Sequence, residues 1–213
     1  MNCTKIIVHA IHYLLSRTKA ADKLKIVKLI FLADKYNLNL YGRTITGDIY
    51  FAMEKGPVGS TTKDILDFNM DYRLTETDIE YIDVFLKKID SVTYEAKPVA
   101  CNYDMLSKSD RQTLDYIIKH FGNLTNWELV ALTHLYPEWE KHEKALQEGT
   151  RSIKIELDDM FSYIDRKEES IKRIAKNHSI NISKILPFTK NDPISIDPEH
   201  MAMSKEMLNG MLC

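Results

Sequence analysis

Cys3, His9 and His12 lie close together near the start of the chain. Thiolate and imidazole are metal ligands, and two histidines three residues apart share one face of a helix. A closed site needs a third and a fourth ligand. His120, His134 and His142 stand far away without paired spacing, and His142-Glu143 lacks the second histidine of a helical zinc-protease motif. The expectation is no metal and no cofactor. Asp34 and Asp48 are two carboxylates that could do acid–base work if brought together. No nucleophile motif accompanies them, so local roles are expected: Asp34 bonding a backbone amide or Arg43, and Asp48 fixing a turn. Gly56-Pro57-Val58-Gly59-Ser60 has the glycines of a phosphate loop, but Ser60 stands where such a loop carries its lysine. A structural turn is the stronger reading, and an anion held by the following helix start is the second. His134, five residues before Trp139, has no carboxylate or thiol at catalytic spacing. A turn histidine beside a packed tryptophan outweighs contact with a partner. These groupings together argue against an enzyme.

The elements that must position these residues are mostly helical. Ile6, Ile7, Ala10, Tyr13 and Leu14 recur at helical spacing over 4–17. Asp22 caps a second helix, 23–40, with Leu24, Val27, Ile30, Phe31 and Leu38 inward and Gly42 as its stop. Residues 45–55, short and rich in β-branched and aromatic types, predict a strand or small hairpin broken by the Gly56–Ser60 corner. Helices follow from Ser60 or Thr61 to about Asn69 and from Thr75 to Lys88, and a short two-stranded turn is expected around Pro98. Ser107 with Asp110 marks another helix start, closed by Gly122. Thr125 caps 126–134, and Pro137 opens a short helix before Gly149. Beyond Arg151, Leu157 to Ile164 could form an amphipathic helix, 165–176 is charge-dense with few apolar anchors, and 198–212 is helix-like.

Composition narrows the function classes. The 213 residues hold 44% hydrophobic and 28% charged types, enough apolar surface for a core. A net charge of -2 gives the chain as a whole no basic footprint for nucleic acid. The tail cations Arg166, Lys167, Lys172, Arg173, Lys176, Lys184 and Lys190 read as a solvated face rather than a DNA stripe. Cys3, Cys101 and Cys213 make a poor disulfide framework and fit free thiols in a reducing cytoplasm. No signal peptide or membrane-spanning run is visible in the sequence.

Four segments resemble one family in order and spacing. They are Lys28-Leu-Ile-Phe-Leu-Ala-Asp-Lys-Tyr36 with Tyr41-Gly-Arg43; Thr46-Gly-Asp48 through Ala52 to Gly56-Pro-Val58; Leu106-Ser107 with Asp110, Leu114 and Phe121-Gly122; and Leu132-Thr-His134 with Pro137-Glu-Trp139. The chain is similar over about 5–150 to the Panacea domain, the SocA-like antitoxin family. The resemblance implies a bacterial or prophage gene paired with an adjacent toxin gene, and neutralisation of that toxin by direct binding. Some members of the family act instead as adaptors that deliver the toxin to an ATP-dependent protease. The expected fold is a mainly α, compact helical domain with a small β-hairpin, over 1–155, and a partly helical C-terminal extension, 156–213. The candidate partner-binding residues are Tyr41, Asp48, Tyr50, Lys55, Gly56, Pro57, His134 and Trp139. The strand beside Tyr50 could also pair with a toxin segment at a free edge.

Overall fold

The computed structural model describes residues 3–68, 74–162, 168–181, 183 and 202–206. Helix α1 (Cys3–Thr18) follows the expected periodicity, with Ile7, Ile11 and Leu14 fully buried. A two-residue strand, β1 (Ala21–Asp22), leads into α2 (Lys23–Tyr41). The Asp22 carboxylate accepts from Leu24 N at 2.7 Å, and Gly42 closes the helix at φ +67°. One inward stripe was expected here. Instead α2 is buried nearly all round from Ile26 to Asn39, including Lys28, Asp34, Lys35, Asn37 and Asn39. It is the central helix of the fold.

Strands β2 (Tyr50–Met53) and β3 (Gly56–Gly59) form an antiparallel hairpin with Tyr50 opposite Gly59 and Met53 opposite Gly56. The Gly56–Gly59 stretch is thus the return strand, not a corner that ends the β element. Gly56 at φ +94° turns the chain after Glu54-Lys55. Pro57, with no N–H to donate, fits an edge strand. Helix α3 (Ser60–Asp67) follows, and then α4 (Glu76–Phe85), capped by a reciprocal Thr75–Asp78 box.

Two expectations about the next stretch need correction. Helix α4 stops at Phe85, and Leu86–Lys88 is strand β4, paired antiparallel with β5 (Thr93–Ala96). The turn between them centres on Asp90, whose carboxylate accepts from Val92 N and Thr93 N, both at 2.8 Å. Pro98 lies beyond the strands. β1 pairs with the other edge of β5.

The second half is built from α5 (Lys108–Phe121), α6 (Asn126–His134), α7 (Pro137–Glu140) and α8 (Glu143–Gln147). Capping boxes open α5 (Ser107–Asp110) and α6 (Thr125–Glu128). Strand β6 (Ile153–Lys154) then pairs with the free side of β2. The helix expected over 157–164 is a single 3-10 turn, Leu157–Met160, and Ile164 lies outside the described residues. Helix α9 (Glu168–Asn177) packs against α6, with Ile174 and Ala175 buried. Met160, Ile174 and Ala175 share one core with α1 and α2, so the described residues beyond 155 pack onto the body of the domain. Of the helix expected over 198–212, only 202–206 are described, and they are helical. The fold is mainly α with two small antiparallel sheets, ordered β1-β5-β4 and β3-β2-β6.

Candidate functional site

Asp34 and Asp48 form a knot beneath the hairpin. The Asp34 carboxylate, fully buried, accepts from Ile45 N at 2.8 Å, Thr46 N at 3.0 Å, Tyr50 OH at 2.8 Å and the Thr46 hydroxyl. Burial raises its pKa to about 6, against the opposing pull of these donors. Arg43 does not reach it and pairs with Asp110 at 2.7 Å. Asp48 accepts from Thr61 N at 2.9 Å and from Thr62 N and Oγ1, each at 2.8 Å. It therefore caps α3, whose N-cap residue, Gly59, has no side chain to do so. A Cβ on Gly59 would stand 2.4 Å from Asp48 Oδ2, which explains the glycine. The helix start that could have held an external anion is filled by the protein's own carboxylate.

A second cluster gathers on the other side of β3. The Lys28 ammonium, sealed from solvent, donates to Pro57 O at 2.8 Å, and burial drives its pKa well below the usual lysine range. Gly56 faces Lys28, Thr133 and His134 so closely that a Cβ would meet Lys28 Nζ at 2.8 Å and Thr133 Oγ1 at 2.7 Å. His134 stacks flat on Trp139, with centroids 3.4 Å apart and planes 4° apart. Trp139 Nε1 donates to Met53 O at 2.8 Å, tying α7 to the hairpin. His134 Nδ1 lies 3.1 Å from His178 Nε2, just past α9. Burial, then the neighbouring His178, Lys28 and Arg173, push His134 down to about 2, so the ring is neutral. A third cluster ties α2 to α7: Lys35 Nζ is 2.8 Å from Glu138 Oε1, with both side chains fully buried.

These positions sort the candidate residues. Asp48, Tyr50, Gly56, Pro57, His134 and Trp139 are buried, so they shape the hairpin face from beneath. Lys55 is exposed at the hairpin turn, its ammonium 5.6 Å from the Trp127 ring centroid. Tyr41 is 39% exposed at the far end of α2, about 27 Å along the helix from Lys23 at the usual rise per residue. Acid–base work by Asp34 and Asp48 would need free carboxylate oxygens beside a proton-transfer partner such as His134. The two carboxylates are spent on the 45–50 loop and α3, while His134 packs under Trp139. Neither edge of β2 is free, since β3 and β6 flank it, and α2 packs against β3, whose Pro57 carbonyl is held by Lys28. Strand addition beside Tyr50 is blocked.

His9 Nε2 meets Tyr81 OH at 2.7 Å, and His12 bonds Tyr103 OH at 2.9 Å and Lys97 O at 3.0 Å. Among the described residues no three His, Cys, Asp or Glu side chains gather at a metal-binding spacing. Of the tail cations, Arg173 pairs with Glu143 and Glu140; Arg166, Lys167, Lys184 and Lys190 lie outside the described residues.

One surface feature escaped the sequence reading. A groove of about 860 Å³ runs between the hairpin, the start of α2 and the start of α6. Leu24, Val27, Val58 and Leu146 supply apolar lining, and Trp127 stands 49% exposed along it. A smaller cleft, about 350 Å³, lies beside His134, Trp139 and His178, and Glu54 lines both. Trp127 could have been noticed, because a tryptophan two positions past an N-cap threonine sits in a first helical turn, where burial is incomplete.

Comparison with known proteins gives one family match. The model described as "Antitoxin SocA-like, Panacea domain" covers residues 26–140, more than half of the chain, from within α2 to the end of α7. No curated protein and no solved structure matches.

Proposed function

The chain belongs to the SocA-like antitoxin family that carries the Panacea domain, and from that premise we propose that it is the antitoxin of a toxin–antitoxin pair. It acts in the cytoplasm by binding rather than catalysis, and occludes a toxin encoded by the adjacent gene. The family match is the observation that carries this reading, and its span includes the hairpin, Lys28, Asp34, Lys35, Asp48, His134, Glu138 and Trp139. The geometry supports contact through the hairpin face. There Lys55, Trp127 and the groove offer accessible surface, while Gly56, Pro57, His134 and Trp139 hold the hairpin to α2, α6 and α7 from inside. Among the described residues no helix is long and apolar enough to cross a membrane.

The test is co-expression with the adjacent gene product, scored for growth and co-purification. Rescue with a stable complex, burying at least ~1,000 Å², is the expected result. Rescue with loss of the toxin and no lasting complex would replace occlusion by delivery to an ATP-dependent protease. Absence of both rescue and binding would sink the antitoxin reading.

A further inference from the structure

The groove beside Trp127 has a chemistry out of keeping with the chain's net charge of -2. Its lining carries four cations, Lys23, Lys55, Lys63 and Arg151, against the carboxylates of Asp22 and Glu54. Asp22 is spent on capping α2. Lys23 and Lys63 both pair with Asp67. Lys55 and Arg151 are exposed and make no ion pair among the described residues; Lys55 only lies over the Trp127 face. Glu54 stands on the ridge shared with the smaller cleft. The apolar lining includes Leu24 and Val58, both half-buried, with Val27 buried beneath at 3% exposure.

An occupant that buries this floor also takes water from Lys55 and Arg151. An apolar occupant alone would leave two poorly solvated cations unpaired, which is unfavourable. Carboxylates placed beside the apolar contacts remove that cost. The β3 edge is closed by α2, so recognition must run through side chains rather than an added strand.

We propose that this groove receives an acidic amphipathic segment of the toxin, its apolar side chains on the Leu24–Val27–Val58 floor against Trp127 and its carboxylates on Lys55 and Arg151. This rests on the antitoxin reading, and supplies the chemistry of the partner's docking segment.

The experiment uses the full chain and the purified adjacent gene product, with affinity measured by titration calorimetry at low and moderate salt. Trp127→Ala should weaken binding at least ~30-fold, as truncating a central aromatic anchor does. Lys55→Glu with Arg151→Glu should weaken it at least ~10-fold and flatten the salt dependence. Lys119→Glu, on the exposed side of α5, should bind like the unaltered chain. All the altered side chains are exposed or half exposed, and thermal unfolding verifies that each variant folds. If the unaltered chain does not bind and does not rescue growth on co-expression, the antitoxin reading itself fails; if it rescues without binding, occlusion and the groove both fall. If it binds, and both groove variants stay within ~3-fold of it, the groove is overturned as the site while the antitoxin reading stands. If the charge-reversed pair binds as tightly or more tightly while Trp127→Ala is weak, the acidic character of the segment is refuted. If Trp127→Ala abolishes only self-association seen by sedimentation, a second copy of the chain is the occupant and the proposal falls.

Discussion

Replacing Glu138 by alanine should cost the fold more than any surface change. Lys35 Nζ and Glu138 Oε1 are 2.8 Å apart with both side chains at 0% exposure. At an effective dielectric near 20, the gross attraction at that distance is about 6 kcal/mol. Removal of water from both ions offsets most of it, so the net value of the pair is small, yet an orphaned partner is expensive. Without Glu138, the Lys35 ammonium loses its counter-charge while still donating to Met160 O and Ser162 Oγ, each at 2.9 Å, and lying 4.6 Å from the Tyr136 ring centroid, and the Ser162 hydroxyl loses its acceptor at 2.6 Å. The expected loss is about 3–5 kcal/mol for Glu138→Ala and similar for Lys35→Met. The double change Lys35→Met with Glu138→Leu should return to within about 1 kcal/mol of the unaltered chain, because it removes the buried charge from both sides. Equilibrium urea unfolding, followed by circular dichroism, of the unaltered chain, Lys35→Met, Glu138→Leu and the double variant gives all four corners of the cycle, with Glu138→Ala beside them. In melting temperature the single changes correspond to roughly 6–20 °C for a chain of this size. Loss below about 1 kcal/mol for Glu138→Ala, or a double variant as unstable as the sum of the singles, would refute the reasoning.

Three further outcomes are expected. Gly56→Ala should lose about 2–5 kcal/mol in the same assay, since it combines a φ of +94° with a Cβ driven onto Lys28 Nζ and Thr133 Oγ1. Asp48→Ala should lose about 1–2 kcal/mol by uncapping α3, and amide exchange should quicken at Thr61 and Thr62, which now donate to it. Stability should also fall as the solution is acidified from pH 7 to 5, through His134. Its pKa is depressed in the fold to about 2 from an ordinary 6.5, so its contribution is complete above 6.5 and is lost on the way down, by about 2 kcal/mol at pH 5. Asp34, raised to about 6, works in the opposite sense below that pH, and His178, Glu143 and Arg173 lie around the imidazole. The measured quantity is therefore the difference in pH slope between the unaltered chain and His134→Phe, which keeps a ring on Trp139; equal slopes would refute the assignment.

The helix ends were legible because they are local events. Asp22, Ser107, Thr125 and Gly42 each act within a few residues, and all four stand where the sequence placed them. The Gly56–Gly59 strand was not legible, because a glycine-proline run reads as a break until a partner strand and Lys28 satisfy it. Strand β4 was hidden by the helical pattern running through Phe85 and Leu86, which pairing with β5 cuts short. At the site, the quoted motifs already contained Lys28, Lys35 and Glu138, but charged residues read as outward until their distant partners are known. Lys35 and Glu138 are more than a hundred residues apart in sequence, and nothing local announces that they meet. The groove and Trp127 depend on segments spread from Asp22 to Arg151 and leave no periodic trace.

The buried polar residues of α2 clasp several distant parts of the molecule. Lys28 holds β3, Asp34 the 45–50 loop, Lys35 the α7 and 160–162 stretch, Asn37 both Arg43 and Thr113 of α5, and Asn39 again Met160. Swinging any one of these arms away leaves a buried donor or acceptor stranded, at a cost of the order of 1–3 kcal/mol or more for the charged ones. Partial opening is thus discouraged, and the arms should exchange their amide hydrogens together, near the free energy of global unfolding. A protein docking on the hairpin then meets a surface whose ordering was settled during folding, so little of the binding free energy is consumed in arranging it.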